Sequence, residues 1–229
     1  MRVIVNEPLV TKRSTWGRRI MSVAFAALVF SVVLSLKRET VLAAYGVMVA
    51  GLILVNVGAA YGGKWLRDPR PDQVLDKALK GLNHGSRLYN YLLPVDHVLL
   101  SSVGLLVLTL KTQDGQIIGH GDKWQRRLNL WASFMAMFES KLGNPSRQAR
   151  NEAAKMESWL HTHLPDAAVP VRPVVVFTNP KAQLFLTEPS VPAFALADLK
   201  GHLRTALKER PLPQTTLKAL TDLFDEQAP

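Results

Sequence analysis

Two adjacent stretches without a charged residue, Ile20 to Leu36 and Val41 to Tyr61, limit what this 229-residue chain can fold into. A helix crosses a bilayer core with about 20 apolar residues, and about 17 are enough. Both stretches reach that length, and only Lys37-Arg38-Glu39-Thr40 separates them. A buried soluble hairpin seldom offers two such runs. A cleaved signal peptide would not be followed at once by a second apolar run. The sequence therefore predicts a transmembrane helical hairpin over residues 20–61. Gly46, Gly51, Gly58 and Ala59 give its second helix small faces for close approach. Asn56 is expected to bond to the partner helix or to lie near the interface.

Basic residues set the expected orientation. Arg2, Lys12, Arg13, Arg18 and Arg19 precede the first span, and Lys64, Arg67 and Arg70 follow the second. The turn between them has only Lys37 and Arg38. The positive-inside rule then places both termini in the cytoplasm, and the short hairpin suggests a bacterial inner membrane. Trp16, Tyr45, Tyr61 and Trp65 supply interfacial anchors. The net charge of +10 divides about evenly. Residues 1–20 hold five basic side chains against one acidic, and the turn adds one more positive charge. Residues 64–229 hold 21 against 16, an excess of five. Half the excess thus lies beside the bilayer, where anionic lipid attracts it. The other half permits nucleic-acid binding without requiring it. The absence of cysteine excludes disulfides, thiolate zinc sites and cysteine nucleophiles.

The organisation that follows is a basic N-terminal segment (1–19), the hairpin (20–61), a proline-containing linker (62–71), a domain (72–209) and a C-terminal helix and tail (210–229). Asp72 is the expected N-cap of a helix whose apolar face is Val74, Leu75, Ala78, Leu79 and Leu82. Strands are predicted over Arg87–Leu93, Val95–Ser101 and Leu105–Lys111. Thr112-Gln113-Asp114-Gly115 reads as a hairpin turn leading into a return strand. Arg126 to Leu142, with Leu130, Trp131, Phe134, Met135 and Phe138, reads as an amphipathic segment that packs on the domain or the bilayer surface. Asn144-Pro145 starts a helix, Val174–Phe177 is a buried strand, and two helices close the chain. This is a mixed α/β domain with a mixed sheet, not an alternating βαβ chain. It lacks a glycine-rich phosphate loop.

Alternation along the third strand is informative. Leu106, Leu108 and Leu110 share one face; Leu105, Val107, Thr109 and Lys111 share the other. A lysine closing a buried strand, with Asp96 opening the neighbouring one, is a layout suited to phosphodiester chemistry. There a divalent cation activates water and a lysine stabilises negative charge. His97 should point away from Asp96 and be structural. His161 and His163 are poorly spaced for one metal, and Arg126, Arg127, Arg147 and Arg150 read as solvated.

Several pieces occur in a recognisable order: the helix Asp72 to Leu79, Asp96-His97-Val98, Gly104 before the strand ending in Lys111, a glycine turn followed by Trp124, Asn144-Pro145 with Gln148, and Val174–Phe177. Together, residues of about 72–180 resemble the nuclease-related (NERD) domain. That resemblance implies a restriction-endonuclease-like α-β-β-β-α-β core. It implies a metal-binding role for Asp96, a catalytic role for Lys111 and a site-facing role for Gln148, with Mg2+ or Mn2+ as cofactor. An acidic residue is also expected on the first helix, at Asp72 or Asp76. Thr109 departs from the pattern, standing where glutamate is expected. Glu152, one turn after Gln148 on the same helix face, is the carboxylate that could replace it as a metal ligand. Three functions follow: a membrane-anchored domain that associates with DNA or RNA and has lost hydrolysis, an active nuclease using Asp96, Lys111 and Glu152, or a membrane-tethered protein-interaction module.

Overall fold

The computed structural model describes residues 1–66, 68–82, 85–128, 141–206 and 211–228. The chain forms two compact units. One is Glu7–Arg70; the other joins Met1–Asn6 to Pro71–Pro229.

The first unit is an antiparallel helical pair, α1 (Glu7–Ser35) and α2 (Val41–Gly62), joined by a short 3-10 turn. Both are long and apolar enough to cross a membrane. The first helix begins earlier than expected, taking the basic residues 12–19 into its opening turns. Glycines create the closest approach of the pair. A Cβ on Gly17 would stand 2.9 Å from the Gly62 Cα, and one on Gly51 2.9 Å from Leu28 Cδ2. Gly58 approaches Met21 in the same way, whereas Gly46 has nothing within 4 Å and does not contribute to the packing. Asn56 donates to the Leu52 carbonyl at 2.9 Å, so it is satisfied on its own helix and not on the partner. Basic side chains lie over aromatic rings at the charged end, Arg13 over Tyr61 and Lys64 over Trp65.

The second unit is a mixed α/β fold. Its main sheet has the order β1-β2-β3-β4-β7-β9, with β1 (Arg2–Val5), β2 (Arg87–Asn90), β3 (His97–Ser101), β4 (Gly104–Lys111), β7 (Val171–Phe177) and β9 (Ala193–Ala195). The β2-β3-β4 meander is antiparallel, while β1, β7 and β9 add in parallel. The N-terminal strand was not expected: it lies within the segment read as a basic tail, and it pairs with β2 across the whole hairpin insertion. The helices α3 (Pro71–Leu79) and α5 (Leu196–Ala206) cover one face, meeting Leu99, Leu106 and Leu108. The other face packs Tyr89, Val98, Leu105 and Val107 against Met156 and Leu160 of α4 (Pro145–His163) and Leu220 and Phe224 of α6 (Gln214–Asp225). The β4 alternation read from the sequence is thus the division between two cores. Gly104 sits at φ +129°, where a Cβ would stand 2.6 Å from the Pro170 carbonyl oxygen, so the tight β3-β4 link requires glycine.

The Asp-Gly turn is corrected. Gly115 does turn the chain, at φ +81°, but β5 (Gly115–Gly121) leaves the main sheet. It pairs with β6 (Lys123–Arg127) and β8 (Ala182–Pro189) in a second, three-stranded sheet ordered β6-β5-β8. The hairpin reversal lies instead at Gly121–Asp122. Asp72 is also corrected: Pro71 opens α3, and Asp72 lies in its first turn, buried, accepting a hydrogen bond from the Tyr91 hydroxyl. The predicted amphipathic segment overlaps β6 at its start, and residues 129–140 of it lie outside the described residues.

Candidate nucleic-acid interface

Strand β4 presents Thr109 and Lys111 on the face that α4 covers. Both are buried, at 2% and 8% exposure. An unpaired ammonium in such a place would cost several kcal/mol, so its partners decide the site's character. Lys111 Nζ donates to Gln148 Oε1 at 2.7 Å and to the Leu142 carbonyl at 3.0 Å. Gln148 Nε2 donates in turn to Glu152 Oε1 at 2.8 Å, and Thr109 Oγ1 donates to Glu152 Oε2 at 2.5 Å. Four side chains form one chain of hydrogen bonds, with each Glu152 oxygen engaged. Burial lowers the Lys111 pKa below the usual lysine value; Glu152 opposes that shift.

Local structure holds these groups in place. Asn144 caps α4 by accepting from the Arg147 amide at 2.9 Å, and Pro145 supplies the first-turn φ. Trp124 Nε1 donates to the buried Ser146 hydroxyl, tying the small sheet to the start of α4. The end of β4 is fixed by Thr178, whose amide donates to the Lys111 carbonyl at 2.8 Å. Gln148 and Glu152, at i and i+4, therefore meet β4 from a braced helix.

Beside the network opens a cleft of about 530 Å³ at the N-terminal end of α4. Its wall includes Lys111, Lys141, Arg147 and Lys155, with Glu152 as the one carboxylate among the described residues. The helix terminus adds oriented N–H groups with partial positive charge. Such a surface attracts anions.

The structure brings together Thr109, Lys111, Gln148 and Glu152. Asp96 is exposed and does not line the cleft. It lies just before β3; the β3-β4 ladder ends at Val98↔Val107, and two further steps along each strand reach Asp96 and Thr109. Its carbonyl accepts from the Tyr91 amide at 2.7 Å. Among the described residues no group of three His, Asp or Glu could hold a metal ion. Among the described residues the charged side chains of this cleft are four cations and one carboxylate, a set that suits an anion. His97 is buried with its Nδ1 2.7 Å from Asn90 Oδ1, a structural contact. His163 stacks on Trp159 at the far end of α4. Arg126 and Arg150 are engaged by Asp114 and Asp122, whereas Arg147 lines the cleft. Sequence reasoning missed Lys141 and Lys155. The signal for Lys155 was available, since it follows Gln148 and Glu152 on the same side of the helix.

Comparison with known proteins adds one match. Residues 70–178 match the family model of the nuclease-related domain, described as NERD. No curated protein and no solved structure matches the chain.

Proposed function

We propose, from the match of residues 70–178 to the nuclease-related domain model, a membrane-anchored domain that binds the phosphate backbone of DNA or RNA without hydrolysing it. The observation that carries this reading is the cleft itself: among the described residues, four cations face a single carboxylate whose two oxygens already accept hydrogen bonds. Lys141, Arg147 and Lys155 supply charge for phosphates, and Lys111 supplies a positioned donor. The hairpin anchors the domain in a bacterial inner membrane with both termini cytoplasmic. Supporting that topology, the chain leaves the domain at Asn6 and re-enters it at Pro71, as a helical hairpin that goes out and back requires. A cytoplasmic reporter fused after Pro229 should be active and a periplasmic one silent; the reverse would overturn the orientation.

The binding test is a titration of labelled duplex DNA and RNA with the detergent-solubilised full chain. Each phosphate contact contributes a slope of about 0.9 in log affinity against log salt. Three cleft cations therefore predict a slope of about 3, reduced in Arg147→Glu. Absence of binding at low salt would sink the reading and leave the protein-interaction module. The short Thr109–Glu152 contact favours a second reading, in which Glu152 replaces the missing strand glutamate and the domain hydrolyses nucleic acid. Cleavage with Mg2+ or Mn2+ that is lost in Glu152→Gln would establish it.

A further inference from the structure

One side chain outside the hairpin breaks the surface pattern. Phe185, on β8, is 53% exposed. Among the described residues, every other exposed large hydrophobic lies between Trp16 and Val57, on the membrane helices and their turn. Phe185 has no such explanation. It sits halfway along the edge strand of the second sheet, on the outer face, where strand register aligns it with Ile118 of β5 and Gln125 of β6. The row on one side begins with Arg127 and Gln116, and the row on the other with Lys123 and His120. None of the nine positions on this face is acidic. At its Arg127 end a groove of about 510 Å³ adds Lys181, and the one acidic side chain there among the described residues, Asp114, is already bonded to Arg126.

We propose that this outer face is a single-strand platform, on which a base stacks against Phe185 while Arg127, Lys181 and Lys123 follow the phosphates. An exposed aromatic among amides and cations on a sheet face is an arrangement suited to unpaired bases, since every base offers a π face. The amides of Gln116 and Gln125 can bond base edges. A lipid surface is the less suitable partner, because Phe185 is a lone exposed aromatic within a strand, flanked on its own face by the polar Gln183 and Thr187 and not by further apolar side chains. The proposal takes its partner class from the cleft reading but depends on a separate surface, spatially defined by different strands.

The test uses the full chain in nanodiscs, with a labelled 12-nucleotide oligo(dT) and a labelled duplex. Phe185→Ala should weaken oligo(dT) binding on the order of 10- to 100-fold and leave duplex binding unchanged. Phe185→Trp should retain it, with its added fluorescence quenched by the oligonucleotide. Arg147→Glu should show the converse selectivity, weakening the duplex. If Phe185→Ala binds oligo(dT) like the wild type, the platform is wrong while the cleft reading stands. If only duplex binding fails, the cleft reading falls and the platform survives. Quenching of Phe185→Trp by brominated lipid in the absence of nucleic acid would overturn the proposal in favour of membrane contact.

Discussion

The helical hairpin and the α/β domain solve one problem in opposite ways. A polar group removed from water costs free energy unless it finds a partner. The hairpin supplies partners locally: Ser31, Ser35 and Asn56 all bond carbonyls three or four residues back on their own helices. What the helices share is shape. The buried positions of α1 are Val10, Gly17, Ala24 and Ser31, and those of α2 include Ala44, Gly51 and Gly58. Seven-residue spacing of small side chains makes a coiled-coil-like seam. The domain works across long sequence separations, with Lys111 reaching Leu142 and Thr109 reaching Glu152. The lesson is that hairpin substitutions act through volume, while site substitutions act through charge and hydrogen bonding.

The sharpest break in that contrast comes from Gly17→Ile. Its side chain would begin 2.9 Å from the Gly62 backbone, which cannot rotate away. Overpacking of this kind costs about 1–3 kcal/mol or more. We expect a clear loss of hairpin stability, measured as the midpoint of SDS-induced unfolding, with duplex binding by the domain retained. Gly46→Ile, facing open space, should leave the midpoint unchanged. Equal effects at the two glycines would show that the seam does not hold the helices together.

In the domain, Thr109→Glu tests charge in the same spirit. A second carboxylate facing Glu152 is a like-charge pair, so the variant should lose about 1–3 kcal/mol at neutral pH. The pair's pKa would rise above the free value of about 4.3, and the loss should therefore shrink as pH falls towards about 4. Adding Glu152→Thr, which exchanges the two side chains, should restore most of the stability. A single variant as stable as the wild type at pH 7 would mean that Thr109 and Glu152 do not meet. Lys111 gives a smaller, pH-dependent effect. Its lowered pKa means that it sheds its charge below the ordinary lysine range, so duplex affinity should decline early on the alkaline side. Lys111→Arg, always charged, should remove that decline.

Much of this was legible because the signals were local. Two charge-free runs encode the hairpin, and alternation in Leu105 to Lys111 places Thr109 and Lys111 on the α4 face. The i, i+4 relation of Gln148 and Glu152 placed the carboxylate beside them. The failures share a cause: pairing is decided by tertiary contacts. Gly115 makes its turn, yet whether β5 continues the first sheet or starts another depends on β8, beyond α4 and β7. Arg2–Val5 is too short to be recognised as a strand without β2. Asp72 has the chemistry of a cap but lies one residue inside a helix that Pro71 opens.

The weakest expected effect concerns an exposed pair, where charge acts through water. Arg150 makes a two-pronged contact with Asp122, at 2.8 and 2.7 Å, and Ser190 also bonds it. These hydrogen bonds hold the Asp122 carboxyl down to about 2. A depressed carboxylate pKa stabilises the fold above the unfolded value of about 3.9, and that stabilisation disappears as pH falls towards 2. Asp122→Asn should therefore unfold slightly earlier than the wild type at pH 7 and together with it near pH 2. Because the groups are solvated, salt should narrow the difference at pH 7. A gap that persists at pH 2 would assign the contact's value to hydrogen-bond geometry instead of charge. This exposed pair would then follow the rule of shape that governs the hairpin.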